Sequence, residues 1–245
     1  MTRFFISPNQ ITNGLVTLGP DDAHHLKVVL HANPGDLINV LNGCGTEFIA
    51  KLDEVGKSRA TARITTIIHL DTEAQTRITV AQALPKVADK MEQVLQRGTE
   101  VGAHAFWAYE SARSLTHLPR ERHLKRLTRW NEIVKTAAEQ SHRARLPEVR
   151  ADQDFSQVLA AAGQFDLSLL AYEGEAKTTL RSALESQPTP PKSVLIVIGP
   201  EGGFTDPEAR AAAKAKLQSV SLGKRILRTE TAALIMVAQL LYALE

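Results

Sequence analysis

The sequence predicts an α/β protein: a parallel sheet covered on both faces by helices, preceded by a small β-barrel or sandwich. Three observations predict it. From residue 78 onward, solid apolar runs alternate with stretches whose apolar residues recur every three or four positions, the pattern of buried parallel strands joined by crossover helices. Residues 1–72 instead carry short alternating runs separated by turn signals. The chain has 245 residues, 43% of them apolar, which suffices for one large or two modest domains.

The elements follow in order. Asp21 to Leu30 supplies one short helix inside the N-terminal part. Leu37 to Leu41 is a strand after the turn Asn33-Pro34-Gly35-Asp36. Thr46 to Leu52 alternates, with Phe48, Ala50 and Leu52 on one face, and Arg59 to Ile68 alternates again. Asn42-Gly43 between the first two of these strands is a hairpin signal. The polar stretch Asp71 to Thr76 reads as a linker. Ile78 to Leu84 is an apolar, β-favouring run, and Val87, Met91, Val94, Leu95, Gly98 and Val101 mark an amphipathic helix. Ala105 to Tyr109 is a short strand. Leu127, Trp130, Val134, Ala137 and Ser141 line one face of a long helix. Asp166 to Tyr172, Val194 to Ile198 and Val220 to Leu222 read as strands, and Glu230 to Leu244 as a nearly all-apolar helix.

Composition excludes several classes. No apolar run approaches the roughly 18 residues of a membrane span. The start is too short and polar for a signal peptide, so the chain is expected to be cytoplasmic. One cysteine, Cys44, excludes an intrachain disulfide framework and a multi-cysteine zinc site. The histidines lack paired ligand spacing, so no metal is expected. The net charge of +2 is not diagnostic, but its distribution is uneven. Residues 1–72 carry 6 Lys/Arg against 7 Asp/Glu, whereas residues 85–150 carry 13 against 8. The basic excess lies between Arg113 and Arg126 and around Arg143 and Arg145, a pattern that fits either a nucleic-acid backbone or a solvated helix face.

Ligands of open parallel sheets bind beyond the carboxyl ends of the strands. Three late strands end in unusual loops: Glu173-Gly174-Glu175, Gly199-Pro200-Glu201-Gly202-Gly203-Phe204, and Gly223 to Thr231. The glycines of the second let backbone approach a ligand closely. Thr205 and Glu208 then make a capping box at a helix start. The spacing matches neither a dinucleotide fingerprint nor a P-loop. In the third loop Arg225, Arg228 and Glu230 enter an apolar helix, either as a structural Arg–Glu pair or as a ligand-facing one.

Together these segments resemble the RsmE family of 16S ribosomal RNA uracil-N3 methyltransferases of the SPOUT superfamily. The resemblance runs through His24-His25-Leu26-Lys27-Val28-Val29-Leu30, Pro34-Gly35-Asp36, Pro85-Lys86, Lys90-Met91-Glu92, Glu100-Val101-Gly102, Ser111-Ala112-Arg113-Ser114, Arg129-Trp130, Ala138 to Arg143 and Pro147. Its most specific parts are Ile198 to Phe204 and Leu222 to Ala232, taken as a pair. Gly98 and Ala103 depart from it, at packing positions.

The resemblance implies a SPOUT-type methyltransferase domain over residues 73–245, a parallel sheet with a C-terminal trefoil knot, for cofactor binding and dimerisation. A PUA-like β-barrel over residues 1–72 would bind RNA. It implies a homodimer acting on 16S rRNA of the small ribosomal subunit, with S-adenosylmethionine as cofactor. Carried onto this chain, the cofactor would meet Leu170, Tyr172, Glu173, Gly199, Pro200, Glu201, Gly202, Gly203, Leu222, Gly223, Ile226, Leu227 and Thr231. Arg113, Arg120, Arg122, Lys125, Arg126, Arg143 and Arg145 would grip RNA. Carboxylates and arginines crowd the expected pocket and no histidine belongs to its loops. The reading therefore gives Arg228 or Arg113 the role of stabilising negative charge on the uracil, with Glu230 orienting Arg228 or serving as base. Two other functions fit the same resemblance less well: a SPOUT enzyme acting on another RNA position, such as a tRNA ribose, and a non-catalytic RNA-binding protein.

Overall fold

The computed structural model describes residues 3–114, 120–175 and 177–245, and of residues 120–123, 152 and 153 the backbone alone. The chain divides into two compact units, residues 1–73 with 138–146, and residues 74–137 with 147–245.

The first unit opens with strands too short to announce themselves by alternation. β1 (Arg3–Phe5), β2 (Ile11–Thr12) and β3 (Leu15–Leu18) precede helix α1 (Pro20–His24), which runs into a π turn over His25–Val29. β4 (Leu37–Leu41), β5 (Thr46–Val55) and β6 (Ala60–His69) follow. The sheet order is β1-β4-β5-β6-β3-β2, antiparallel except where β1 lies parallel to β4. Phe4, Val16, Leu18, Leu26, Val40 and Leu52 fill its core. The β4–β5 connection is longer than a two-residue hairpin. The Asn42 side-chain oxygen closes it by accepting the amides of Cys44 at 2.8 Å and Thr46 at 3.2 Å, while Gly43 and Gly45 take left-handed φ. Phe48 packs against this core while only half buried, and Glu47 is buried because Arg3 Nη2 at 2.9 Å and Asn39 Nδ2 at 2.7 Å hold its carboxylate.

The second unit contains β7 (Arg77–Ala83), α2 (Ala88–Val101), β8 (Ala105–Glu110), most of α3 (Arg120–Gln140), β9 (Glu148–Asp154), α4 (Phe155–Ala161), β10 (Leu167–Ala171), α5 (Leu180–Glu185), β11 (Ser193–Ile198), α6 (Asp206–Lys214), β12 (Gln218–Val220) and α7 (Thr229–Leu244). Its sheet runs β12-β10-β11-β7-β8-β9, with every pairing parallel. One apolar layer joins Ile78 and Val80 to Met91, Leu95, Trp130, Met236 and Leu240 on α2, α3 and α7. The other joins Ala81 and Ala83 to Val158 and Ala212 on α4 and α6. Gly98 has a packing reason: a Cβ there would sit 2.7 Å from the Phe106 ring. The capping box from Thr205 to Glu208 forms at the start of α6. β9 escapes a reading by hydrophobicity because it is an edge strand that buries Val149 and Ala151 among polar residues.

Residues 138–146 correct the division drawn from the sequence at 72/73. They pack in the first unit, where Ala138 clusters with Phe5 and Leu41 and a Glu139 carboxylate oxygen accepts the Phe5 amide at 3.2 Å. The presumed linker is tied down too. Glu73 accepts Arg143 Nη2 at 2.5 Å and the amides of Ala144 and Arg145 at 3.0 and 3.2 Å. Burial pushes the Glu73 carboxyl up, but the Arg143 guanidinium and the two amides outweigh it and hold it below the ordinary carboxylate value.

Breaking this pair leaves a buried cation, so Glu73→Gln is expected to cost about 3–5 kcal/mol. The carboxylate's contribution is complete above its ordinary value of 4.5 and is lost as pH falls through the lowered folded value. Urea unfolding should therefore show a gap between the parent chain and the variant that narrows on acidification below about 4.5. A gap independent of pH would show that ionised Glu73 is not the stabilising form.

Candidate active site

All strands of the second unit point one way, so the loops after β10, β11 and β12 gather at one edge of the sheet, where such folds bind ligands. They line a cavity of about 400 Å³, within the range of roughly 300–1,000 Å³ of small-ligand sites. Tyr172, Glu173, Gly199, Pro200, Glu201, Gly203, Leu222, Gly223, Ile226 and Leu227 face it, as expected from the sequence. Arg228 lies on its exposed rim. Three expected residues are not in the lining. Leu170 is wholly buried among Ala81, Leu195 and Val197, because its strand position points into the core. Thr231 is exposed on the first turn of α7. Gly202 faces a second cavity.

Several buried hydrogen bonds hold these loops in place. The Thr229 hydroxyl donates to the Gly199 carbonyl at 2.5 Å and accepts from Gln82 Nε2 at 2.8 Å. The Tyr109 hydroxyl donates to the Ile198 carbonyl at 2.9 Å. Burial, and then the charge of Glu208, push that phenol well above its ordinary range. Glu208 caps α6 through Thr205 and accepts the Ala112 amide at 2.9 Å, which fixes the loop after β8. Gly203 has φ +65, where a side chain is strained, and a Cβ there would sit 2.6 Å from a Glu173 carboxylate oxygen, so a larger residue would have to displace Glu173.

The electrostatic centre of the cavity is Lys90, which sequence reasoning named only as part of a motif. Its Nζ lies 2.8 Å from Glu201 and 3.9 Å from Glu230 Oε2. Burial raises the Glu201 carboxyl, but hydrogen bonds from Lys90 and the amides of Glu201 and Lys86, with the charge of Lys90, hold it below the ordinary range. Glu230 is buried, and its Oε2 has no hydrogen-bond partner. Among the described residues Arg228 and Glu230 form no ion pair: Arg228 is the extended N-cap residue of α7 and stays exposed, while Glu230 lies in the first turn within reach of Lys90. The expectation of a structural Arg228–Glu230 pair is thereby corrected, and Arg228 faces the cavity rim without Glu230 to orient it. Gln82 and Thr229 were missed as well. The available signal was a glutamine inside an apolar strand, which must find a buried partner.

A second, more open cavity lies against the first, lined by Lys86, Val87, Lys90, Ala112, Arg113, Glu201 and Gly202. Arg113 Nη1 donates to the Gly202 carbonyl at 2.5 Å. Of the other basic residues expected to meet RNA, Lys125 and Arg145 are exposed and Arg126 is half-buried. Arg143 is not available for a phosphate, because its buried guanidinium is held by Glu73. The side chains of Arg120 and Arg122 lie outside the described residues, as does the 115–119 part of the basic stretch. Among the described residues no group of three His, Cys, Asp or Glu could hold a metal ion, and no helix is long and apolar enough to cross a membrane.

Comparison with known proteins agrees with this geometry. Residues 72–241 match the RNA methyltransferase domain family, and residues 18–65 the RNA methyltransferase PUA domain family. The class is thus an RNA methyltransferase carrying a PUA domain ahead of its catalytic domain. Ribosomal RNA small subunit methyltransferase E of Bacillus subtilis is 35% identical over 100% of this chain and 98% of its own length. The Synechocystis protein of the same name is 36% identical over 99% of this chain and 78% of its own. The crystal structure of the Neisseria gonorrhoeae enzyme of that name, bound to S-adenosylmethionine, superposes with a TM-score of 0.87 at 33% identity, covering 99% of this chain and 98% of that one. A methyltransferase from Legionella pneumophila, also in complex with S-adenosylmethionine, gives a TM-score of 0.88 at 31% identity, covering 99% and 97%. The chain belongs to the ribosomal RNA small subunit methyltransferase E family.

Thr229→Val keeps the shape of the side chain but strands the Gln82 amide and the Gly199 carbonyl in the core. It should cost about 1–3 kcal/mol in urea unfolding. A loss below about 0.5 kcal/mol, the range of a bland surface change, would show that the network carries no load.

Proposed function

We propose that this small-subunit rRNA methyltransferase binds S-adenosylmethionine in the cavity after β10, β11 and β12 and methylates N3 of one specific uridine in 16S rRNA. The observation that carries this is the cavity itself, with its side-chain-free Gly203 cradle and its cationic neighbour, in a chain of this family. The donor set suits the cofactor. Backbone groups of the 199–203 and 223–227 loops that are not spent within the protein would hold its polar atoms, and Leu222, Ile226 and Leu227 would provide an apolar slot for the adenine. When bound there, the cofactor supplies an electrophilic methyl that N3 takes up, the carbon–sulfur electron pair staying on sulfur and the N3 proton leaving to water.

What remains for the protein is to favour the N3 anion, since a uracil N3–H is a weak acid largely protonated at neutral pH. Fixed positive charge does this by stabilising charge as it spreads onto the carbonyl oxygens. Two arginines would supply it, Arg228 from the rim of the first cavity and Arg113 from the lining of the second. Glu230, buried beside Lys90, keeps that ammonium in place. The PUA domain binds RNA, and the exposed or half-exposed cations Lys125, Arg126 and Arg145 meet its backbone. Two copies pair through a C-terminal trefoil knot, as the family resemblance implies, and Tyr242, 93% exposed on α7, is an apolar side chain such pairing would cover. The protein works in the cytoplasm, where ribosomal subunits are assembled.

Nucleoside mass spectrometry of small-subunit rRNA from a strain lacking the protein should show loss of one 3-methyluridine, and an unchanged nucleoside profile would overturn the function. Gly203→Val, strained at φ +65 and pressed on Glu173, should abolish cofactor binding in calorimetry without unfolding the chain; normal affinity would remove the cofactor from this cavity. Arg113→Gln and Arg228→Gln should each slow the single-turnover step, by up to about a hundredfold, with partial recovery as rising pH deprotonates N3 unaided. A slow rate that stays flat into alkaline pH in both would exclude charge stabilisation.

A further inference from the structure

We propose that the second cavity seats the acceptor nucleotide, and that Lys90 is the group shared between donor and acceptor. The proposal rests on the reading of the chain as a uridine methyltransferase and specifies where its base lies. Methyl transfer requires the two reactants to occupy adjoining spaces with little between them. The two cavities meet this requirement, because Lys90 and Glu201 line both.

The charge of the second cavity points to an oxygen-rich occupant. Lys86, Lys90 and Arg113 face it together with a single carboxylate, Glu201. That carboxylate is already engaged, by Lys90 Nζ at 2.8 Å on one oxygen and by the Lys86 amide at 3.1 Å on the other. The Lys86 ammonium is exposed and has no carboxylate partner among the described residues. Arg113 has spent one N–H on the Gly202 carbonyl, and a guanidinium has further donors. Donors without matching acceptors select a ligand that presents acceptors. Uracil presents two carbonyl oxygens flanking N3, and its nucleotide adds phosphate oxygens. Cytosine keeps the O2 carbonyl but places an amino donor where uracil has O4, and would meet these cations donor against donor at that position.

Gly202 gives an independent reason. Its φ is not in the left-handed region, so backbone geometry does not demand glycine there. A Cβ at 202 would instead lie 3.3 Å from Arg113 Cδ and 3.5 Å from its Cβ. The bare backbone at this position lets the arginine lie across the loop, while Glu208 holds the adjacent Ala112 amide. Arg113, although exposed, is thus tied to the glycine loop by its side chain and sits beside an amide held by Glu208, which orients it as a recognition group needs.

The test uses the intact protein with small ribosomal subunits that carry 4-thiouridine, prepared from a strain lacking the enzyme and irradiated with long-wave ultraviolet light. Cross-linked peptides should contain the Lys86–Lys90 segment or residues 111–114. Lys86→Met, at an exposed side chain, should raise the subunit concentration needed for half-maximal rate about tenfold, with cofactor affinity unchanged. Lys90→Met should lower the saturated single-turnover rate about a hundredfold, with partial recovery at alkaline pH. Cross-links confined to other segments, or Lys86→Met with parental saturation, would overturn the placement. Failure of the parent chain to bind S-adenosylmethionine would remove the functional reading, whereas normal cofactor binding with cross-links elsewhere removes only the acceptor site.

Discussion

Burying a glutamine amide between two apolar layers costs several kcal/mol where its polar atoms go unpartnered, and the geometry of the active-site edge follows from how this chain satisfies the NH2 end of Gln82, whose Oε1 is left without a hydrogen-bond partner. Gln82 stands near the end of the central strand β7 and is wholly inaccessible to solvent. Its Nε2 donates to the Ala83 carbonyl and to the Thr229 hydroxyl, and that hydroxyl has one proton, which goes to the Gly199 carbonyl. The direction of the chain is therefore determined. It joins the end of β7, the end of β11 and the start of α7 through a single oxygen atom. Loops rich in glycine would otherwise sample many conformations. Here the first residue of the glycine loop and the first residue of the last helix are held to the same strand.

Charge is arranged around that frame with the same economy of groups. Lys90 reaches from α2 to a loop carboxylate and to a buried helix carboxylate, so one ammonium serves two acids on different elements. Removing it would leave Glu230 without any compensating cation nearby among the described residues, a costly state for a buried acid. This coupling means that the two cavities are not electrostatically separate: a change of charge in either is felt through the same side chain.

The solid apolar strands β7, β10 and β11 and the helices α2 and α7 were legible because burial on both faces of a parallel sheet leaves little room for polar residues. β9 was not, since an edge strand needs apolar residues only where it meets the core. The glycine loop was legible as a ligand-binding element, but the facing of its residues was not. Gly202 and Gly203 are neighbours in sequence and open onto different cavities, a distinction set by backbone torsions that composition does not encode. Leu170 failed for the related reason that alternate residues of a strand point to opposite faces. Arg143 looked like part of a basic surface because its partner, Glu73, lies 70 positions away. A buried ion pair of that separation has no local signature.

The excursion of residues 138–146 into the first unit has a consequence for biosynthesis. A domain made of one continuous stretch can close as soon as that stretch has left the ribosome. The first unit of this chain cannot, because Glu73 waits for Arg143 and the Phe5 amide for Glu139. By then β7, α2, β8 and most of α3 have also been synthesised. The first unit therefore spends the time of some seventy peptide bonds incomplete although all its strands have been made, and its final closure is tied to the emergence of a segment flanked on either side by the catalytic domain.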